Sequence, residues 1–319
     1  MKKIGMLLAL VCGALIACNQ DANTSGGKYL IAEEMYTQVG TQNAIGLDPM
    51  NVAMRLNTLL IEAEKQGITD LNTAVKIPVD DGSTRLDITK RLFGRTEFKE
   101  PSPGVYSLKY PINYKPTIGV DNIRYGTLII TTGGKYLNDL GPGEKWTVTA
   151  GDDFKSESLL KIEYPNYEIT RVQNNQWKFS FTDCTVYWTS LSENAGSDWN
   201  GEYVVTQVSG NQEYFAVRNS DFILDGESWG RTAFYTDDFK FEVTTPIQTR
   251  YATCGYRLYV TGEEKITLDD ADRKYPTVYA GYRLDGGADC SYFIDLTYEG
   301  VTGTIKVDLG DSSTDTTED

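Results

Sequence analysis

From about Val75 onward the chain alternates apolar and polar residues with a period of two, broken at close intervals by glycine-bearing turns. Successive side chains on a strand point to opposite faces, so a chain that keeps this period for most of its length is committed to half-buried strands. The clearest runs are Thr127–Thr132, Trp177–Phe181, Tyr203–Val208, Phe239–Val243, Arg257–Val260, Tyr292–Leu296 and Thr304–Val307. Short strands so closely spaced predict a mainly β fold of two antiparallel β-sandwich or barrel-like domains. The polar stretch Leu191 to Trp199 marks the boundary, giving β domains over 75–190 and 191–310 and an acidic disordered tail over 311–319.

A helical section over 28–74 precedes the strands. Asp48 suits an N-cap and Pro49 a first helical position, while Val52, Leu56, Leu59, Leu60 and Ala63 share one face before Gly67 ends the pattern. Lys28 to Val39, with Leu30, Ile31, Met35 and Val39, forms a second candidate helix. Packing of both on a sheet is the expected arrangement; a helical cap over a substrate site is the alternative.

The first eighteen residues carry a different signal. Lys2 and Lys3 precede a short apolar run, Ile4–Leu10 and Val11–Ile16, which closes in Leu15-Ile16-Ala17-Cys18. A charged start, an apolar stretch and a small residue before a cleavage point are the marks of a secretion signal. This pattern resembles that of bacterial lipoproteins with a type II signal peptide. The resemblance implies that residues 1–17 are removed and that Cys18, diacylated on its thiol, becomes the first residue. Residues 18–27, small and polar, then form a lipidated tether. Surface lipoproteins of the Bacteroidetes often carry acids just after this cysteine, a feature that Asp21 resembles weakly. The implied location is the outer membrane of the cell envelope, on its periplasmic or surface face.

Charge supports a covalent anchor over an electrostatic one. Loss of Lys2 and Lys3 makes the formal charge of −15 two units more negative, and Asp311 to Asp319 holds no base. Such a chain repels phosphate backbones and anionic headgroups, which argues against nucleic-acid binding and charge-driven membrane docking. One acyl chain alone anchors only marginally, whereas the two or three on a lipoprotein cysteine hold durably.

Catalytic chemistry is constrained by an absence: the chain has no histidine. Imidazole bases, histidine-built triads and the usual zinc sets are therefore excluded. Gly133-Gly134-Lys135 has Ile129 where a phosphate loop needs glycine, and no Gly-x-Ser-x-Gly elbow occurs. Besides Cys12 and Cys18, the chain has Cys184, Cys254 and Cys290. Cys254 and Cys290 could pair, or all three could serve as small buried hydrophobes. Asp80-Asp81-Gly82, Asp198 to Glu202 and Asp269 to Asp272 are oxygen-rich enough for Ca²⁺, but such sequences are also ordinary turn chemistry, which is the preferred reading; no cofactor is expected.

Twenty-one tyrosines and five tryptophans are the remaining signal. Exposed aromatic rings on an extracytoplasmic β protein can stack sugars, and Trp188, Trp199, Tyr203 and Trp229 form the candidate platform; packing inside the strands is the alternative. The sequence therefore points to a lipid-anchored, non-catalytic binding or structural module, with a glycan or an outer-membrane transporter as partner. A glycoside hydrolase built on paired carboxylates and a surface adhesin are the rival readings.

Overall fold

The computed structural model describes residues 25–78, 85–111, 124–156, 160–187, 196–209, 221–231, 238–251, 257–269, 277–285 and 291–308. The chain is mainly β, with a large antiparallel sheet and an N-terminal helical section; the sheet is not a closed barrel. Helix α1 spans Ser25–Lys65 and is followed by a small hairpin, β1 (Lys76–Pro78) and β2 (Arg85–Asp87), and by the short helix α2 (Ile88–Phe93). Asp87 caps α2, its carboxylate accepting from the Lys90 N–H at 3.0 Å.

The large sheet begins with β3 (Glu97–Ser102), β4 (Val105–Tyr110), β5 (Arg124–Thr131), β6 (Lys145–Ala150), β7 (Lys155–Ser156), β8 (Leu160–Glu163), β9 (Asn166–Gln173) and β10 (Gln176–Tyr187). It continues through β11 (Gly196–Gln207), β12 (Phe222–Arg231), β13 (Asp238–Tyr251), β14 (Arg257–Asp269), β15 (Thr277–Leu284), β16 (Ser291–Tyr298) and β17 (Val301–Asp308).

Register shows that this is one meander. β8 and β9 meet β10 without a slip, as Glu163↔Thr185 and Asn166↔Thr182, so they are two halves of one strand position. β6 and β7 likewise share the free edge of β5, as Ala150↔Leu128 and Lys155↔Tyr125, with Gly151 to Phe154 bulging between them. That bulge is fixed from both sides. The Asp153 carboxylate accepts the Thr127 N–H at 2.9 Å, and Gly126, at φ 78°, lets the Asp153 carbonyl approach to where a Cβ would stand 2.1 Å from its oxygen. Every strand position of the sheet thus neighbours the next in sequence, from β3 at one edge to β17 at the other. Of the stretch expected to separate two domains, Leu191 to Trp199, residues 191–195 lie outside the described residues and Gly196 to Trp199 open β11, which pairs with β10 from Gln176↔Thr206 to Tyr187↔Gly196. One hydrophobic cluster runs through both halves.

The two helices expected near 28–39 and 48–66 are one continuous helix, and it crosses the strands in reverse sequence order. Tyr29 lies on Gly303 of β17, and the Tyr36 hydroxyl is 2.8 Å from that of Tyr282 on β15. The Gln42 amide donates to the Arg231 main-chain carbonyl of β12 at 3.3 Å, and the Ser228 hydroxyl, also on β12, donates to the side-chain Oδ1 of Asn43. Gly46 faces Trp199 and Phe181, and Asp48 meets Arg124 at the start of β5. Tyr29 to Asp48 covers about 28 Å of helix axis. The strand positions from β17 to β5 would span about 48 Å if laid flat. The sheet therefore curls around the helix.

Two sequence choices make that embrace possible. At Gly46 an added Cβ would stand 2.7 Å from Trp199 Nε1 and 2.9 Å from Phe181 Cζ, so only glycine lets the helix settle this close. Asp48 is no cap; it lies mid-helix and forms a buried bidentate ion pair with Arg124, whose Nε donates at 2.6 Å. Aromatic rings fill the space between helix and sheet: Tyr167 stacks on Phe181 at 5.5 Å, and Phe181 meets Trp199 at 6.1 Å and Tyr203 at 6.3 Å. Much of the aromatic richness read in the sequence is this core.

Candidate functional site

Alternation on β12, β13 and β14 turns one set of side chains away from the helix. Across these strands Trp229 is opposite Lys240, and Lys240 is opposite Thr267; in the next row Arg231 is opposite Asp238, and Asp238 is opposite Asp269. Trp229, Lys240, Thr267, Asp238 and Asp269 from these rows line an open depression of about 400 Å³, with Gly230 and Phe239 completing its lining. Trp229 is 41 % exposed, an unusual state for a large indole carried on a central strand.

The charges around the indole are engaged with one another. Lys240 Nζ lies 3.0 Å from Glu227 and 2.8 Å from Glu242, while Lys265 Nζ lies 3.7 Å from Glu242. The Lys240 hydrogen bond, ahead of the attraction of Lys240 and Lys265, holds the Glu242 carboxyl below its ordinary range. Arg231 Nε is 3.6 Å from Asp238. Asp269 is exposed and has no ion-pair partner among the described residues. The surface is thus an open lattice of donors and acceptors with one apolar ring standing in it. It can stack a ring and hydrogen-bond hydroxyls. Being open to water, it lacks the enclosed environment that strengthens catalytic electrostatics.

A second cluster is buried on the opposite face. Tyr282 donates to Glu264 Oε1 at 2.7 Å, its oxygen lies 2.8 Å from the Tyr36 hydroxyl, and Tyr259 stacks on Tyr282 at 4.7 Å. Burial pushes the Glu264 carboxyl up to about 8, a rise that the Tyr282 hydrogen bond only partly opposes. Desolvation likewise raises the tyrosine hydroxyls around it. This network joins helix to sheet.

Of the four aromatic residues read as a platform, three are described, and among these Trp229 alone is exposed. Trp199 and Tyr203 have no exposed surface: they are on the inner face of β11 and pack Phe181, so the expectation of exposed rings at these positions is corrected. The alternation was readable, because Asp198, Asn200 and Glu202 between them take the outer face. Trp188 and Cys18 lie outside the described residues, as do Cys254 and Cys290. Cys184 is buried, and desolvation raises its thiol. Asp198 to Glu202 lies within β11 and forms no turn: Asp198 accepts from Thr185 at 2.9 Å and Glu202 pairs with Lys178. Asp80, Asp81 and Asp270 to Asp272 fall outside the described residues. Among the described residues no three His, Cys, Asp or Glu side chains gather as a metal site, and no helix is long and apolar enough to cross a membrane. Sequence reasoning missed Lys240, Thr267, Asp238 and Tyr279, which share the outer face with Trp229; counting strand parity outward from Trp229 would have found them. Comparison with family models, with curated proteins and with solved structures finds no match to this chain.

Proposed function

We propose that the protein is a lipid-anchored cell-envelope module that captures a glycan on the outer face of its sheet and does not transform it. The observation that carries this reading is the exposed Trp229 indole, set in an open depression among hydroxyl, carboxylate and ammonium groups. Sugar rings offer an apolar face to an indole and a rim of hydroxyls to such groups, and this surface supplies both. The Leu15-Ile16-Ala17-Cys18 pattern supports the anchor, with Cys18 as the lipidated residue and an outer-membrane transporter as the natural recipient of captured glycan.

The test uses the chain from Lys28 onward on affinity gels cast with starch, laminarin, xylan or mannan, with release of reducing ends followed in parallel. Retention lost in Trp229→Ala, without release of reducing ends, is expected. Turnover abolished by Asp238→Asn or Asp269→Asn would make the protein a hydrolase, and no retention on any gel would leave the adhesive or structural reading. For the anchor, labelled palmitate should enter the full-length protein and not its Cys18→Ser variant.

A further inference from the structure

Tyr279 is 48 % exposed and lies on the same outer face as Trp229, three strand positions away. Its row runs Glu227, Glu242, Lys265, Tyr279 across β12 to β15, one step along the strands from the row of Trp229. In a flat sheet the two rings would stand about 16 Å apart. That separation exceeds a single sugar ring and suits a short chain of them.

We infer that Trp229 and Tyr279 are two stacking points of one linear subsite, so that the face takes a neutral oligosaccharide crossing β12 to β15. The inference rests on the reading of this face as glycan-binding and adds to it the second contact residue, the minimum length of the ligand and its charge.

Charge follows from what lies between the rings. Lys240 is engaged by Glu227 and Glu242, and Lys265 by Glu242, so among the described residues this strip offers no free cation to a uronate or a sulfate. A polyanion would also meet the exposed Asp269 carboxylate and a chain of formal charge −15. A protein partner is disfavoured for a different reason. A dry protein interface would have to desolvate those ion pairs, and two rings supply little of the roughly 1,200–2,000 Å² that a stable interface buries. An oligosaccharide leaves the ion pairs wet, and its hydroxyls can bridge to them directly or through water.

The experiment is calorimetric titration of the same fragment with a length series, two to six units, cut from whichever of the four neutral polysaccharides the gels retain. Wild-type affinity is expected to rise at least tenfold with length. Tyr279→Ala should remove that rise and leave the shortest ligand unaffected, while Trp229→Ala should weaken every length. Both residues are exposed, so unchanged circular dichroism will certify the folds. Wild-type length dependence in Tyr279→Ala, with binding still lost in Trp229→Ala, would overturn this inference alone. Full binding in both variants, or no retained polysaccharide, would overturn the glycan reading as well. Polygalacturonate bound as tightly as the neutral ligand would overturn the assignment of charge.

Discussion

The Tyr164 hydroxyl donates to the carbonyl of Ile45 at 2.9 Å, and that carbonyl is the one Pro49 leaves without its helical N–H. Proline inside a helix removes the hydrogen bond to the residue four before it. A residue 119 positions away, in the link between β8 and β9, supplies the missing donor, which is why α1 runs through Pro49 as a single helix.

Removing that donor should be felt. Tyr164→Phe keeps the ring, which packs against Tyr167 and Trp199, and leaves a buried carbonyl unpaired at a cost of about 1–3 kcal/mol. Urea unfolding followed by circular dichroism reads this directly. A midpoint equal to wild type would mean that the Ile45 carbonyl finds another partner.

The Asp48–Arg124 pair is a harsher case, because both side chains are withdrawn from water. Asp48→Ala strands a buried guanidinium and should cost about 3–5 kcal/mol. Replacing both partners by apolar residues of similar size, Asp48→Leu with Arg124→Met, should recover most of that loss. Equal destabilisation in the single and double variants, measured by the same unfolding midpoints, would show that hydrogen-bond geometry and not charge dictates the site.

Glu264 makes stability depend on pH. Burial pushes its folded carboxyl up to about 8, against an ordinary value of 4.5, and the hydroxyls that interact with it are those of Tyr36 on α1, Tyr203 on β11, Tyr282 on β15 and Tyr292 on β16. Between these two values the folded chain holds a proton that the unfolded chain has released. The contribution of this group is therefore complete below about pH 4.5, falls as pH rises and is exhausted above about pH 8. Glu264→Gln should flatten that slope and be the more stable protein at pH 8.5. Parallel stability–pH curves for wild type and variant would refute the assignment.

The sheet was legible in the sequence because a one-residue slip along a strand exchanges its two faces, so Trp177–Phe181 or Tyr292–Leu296 has little freedom once one face is buried. The continuity of α1 from Val39 to Asp48 was not. Helices on a surface betray themselves by an apolar stripe, but α1 is wrapped by the curled sheet, and between Gln42 and Leu59 it buries polar residues, Gly46 and Pro49 along with its apolar ones. Pro49 and Asp48 imitate a helix start, and only the long-range partners Tyr164 and Arg124 explain why they sit mid-helix. At the site the difficulty was one of faces. Trp199 and Trp229 are both strand residues in polar surroundings, and the pairing Trp199↔Gly230 places the row of Trp199 inside and that of Trp229 outside.

The central claim is that Trp229 touches the ligand, and intrinsic fluorescence tests it most directly. Trp146, Trp177 and Trp199 are buried, so acrylamide quenching of the described tryptophans should be dominated by Trp229. Addition of the retained neutral oligosaccharide should protect the wild-type fluorescence saturably, with the concentration dependence seen by calorimetry, and should leave Trp229→Ala unchanged. Saturable protection that persists in Trp229→Ala, or binding without any protection, would contradict the account.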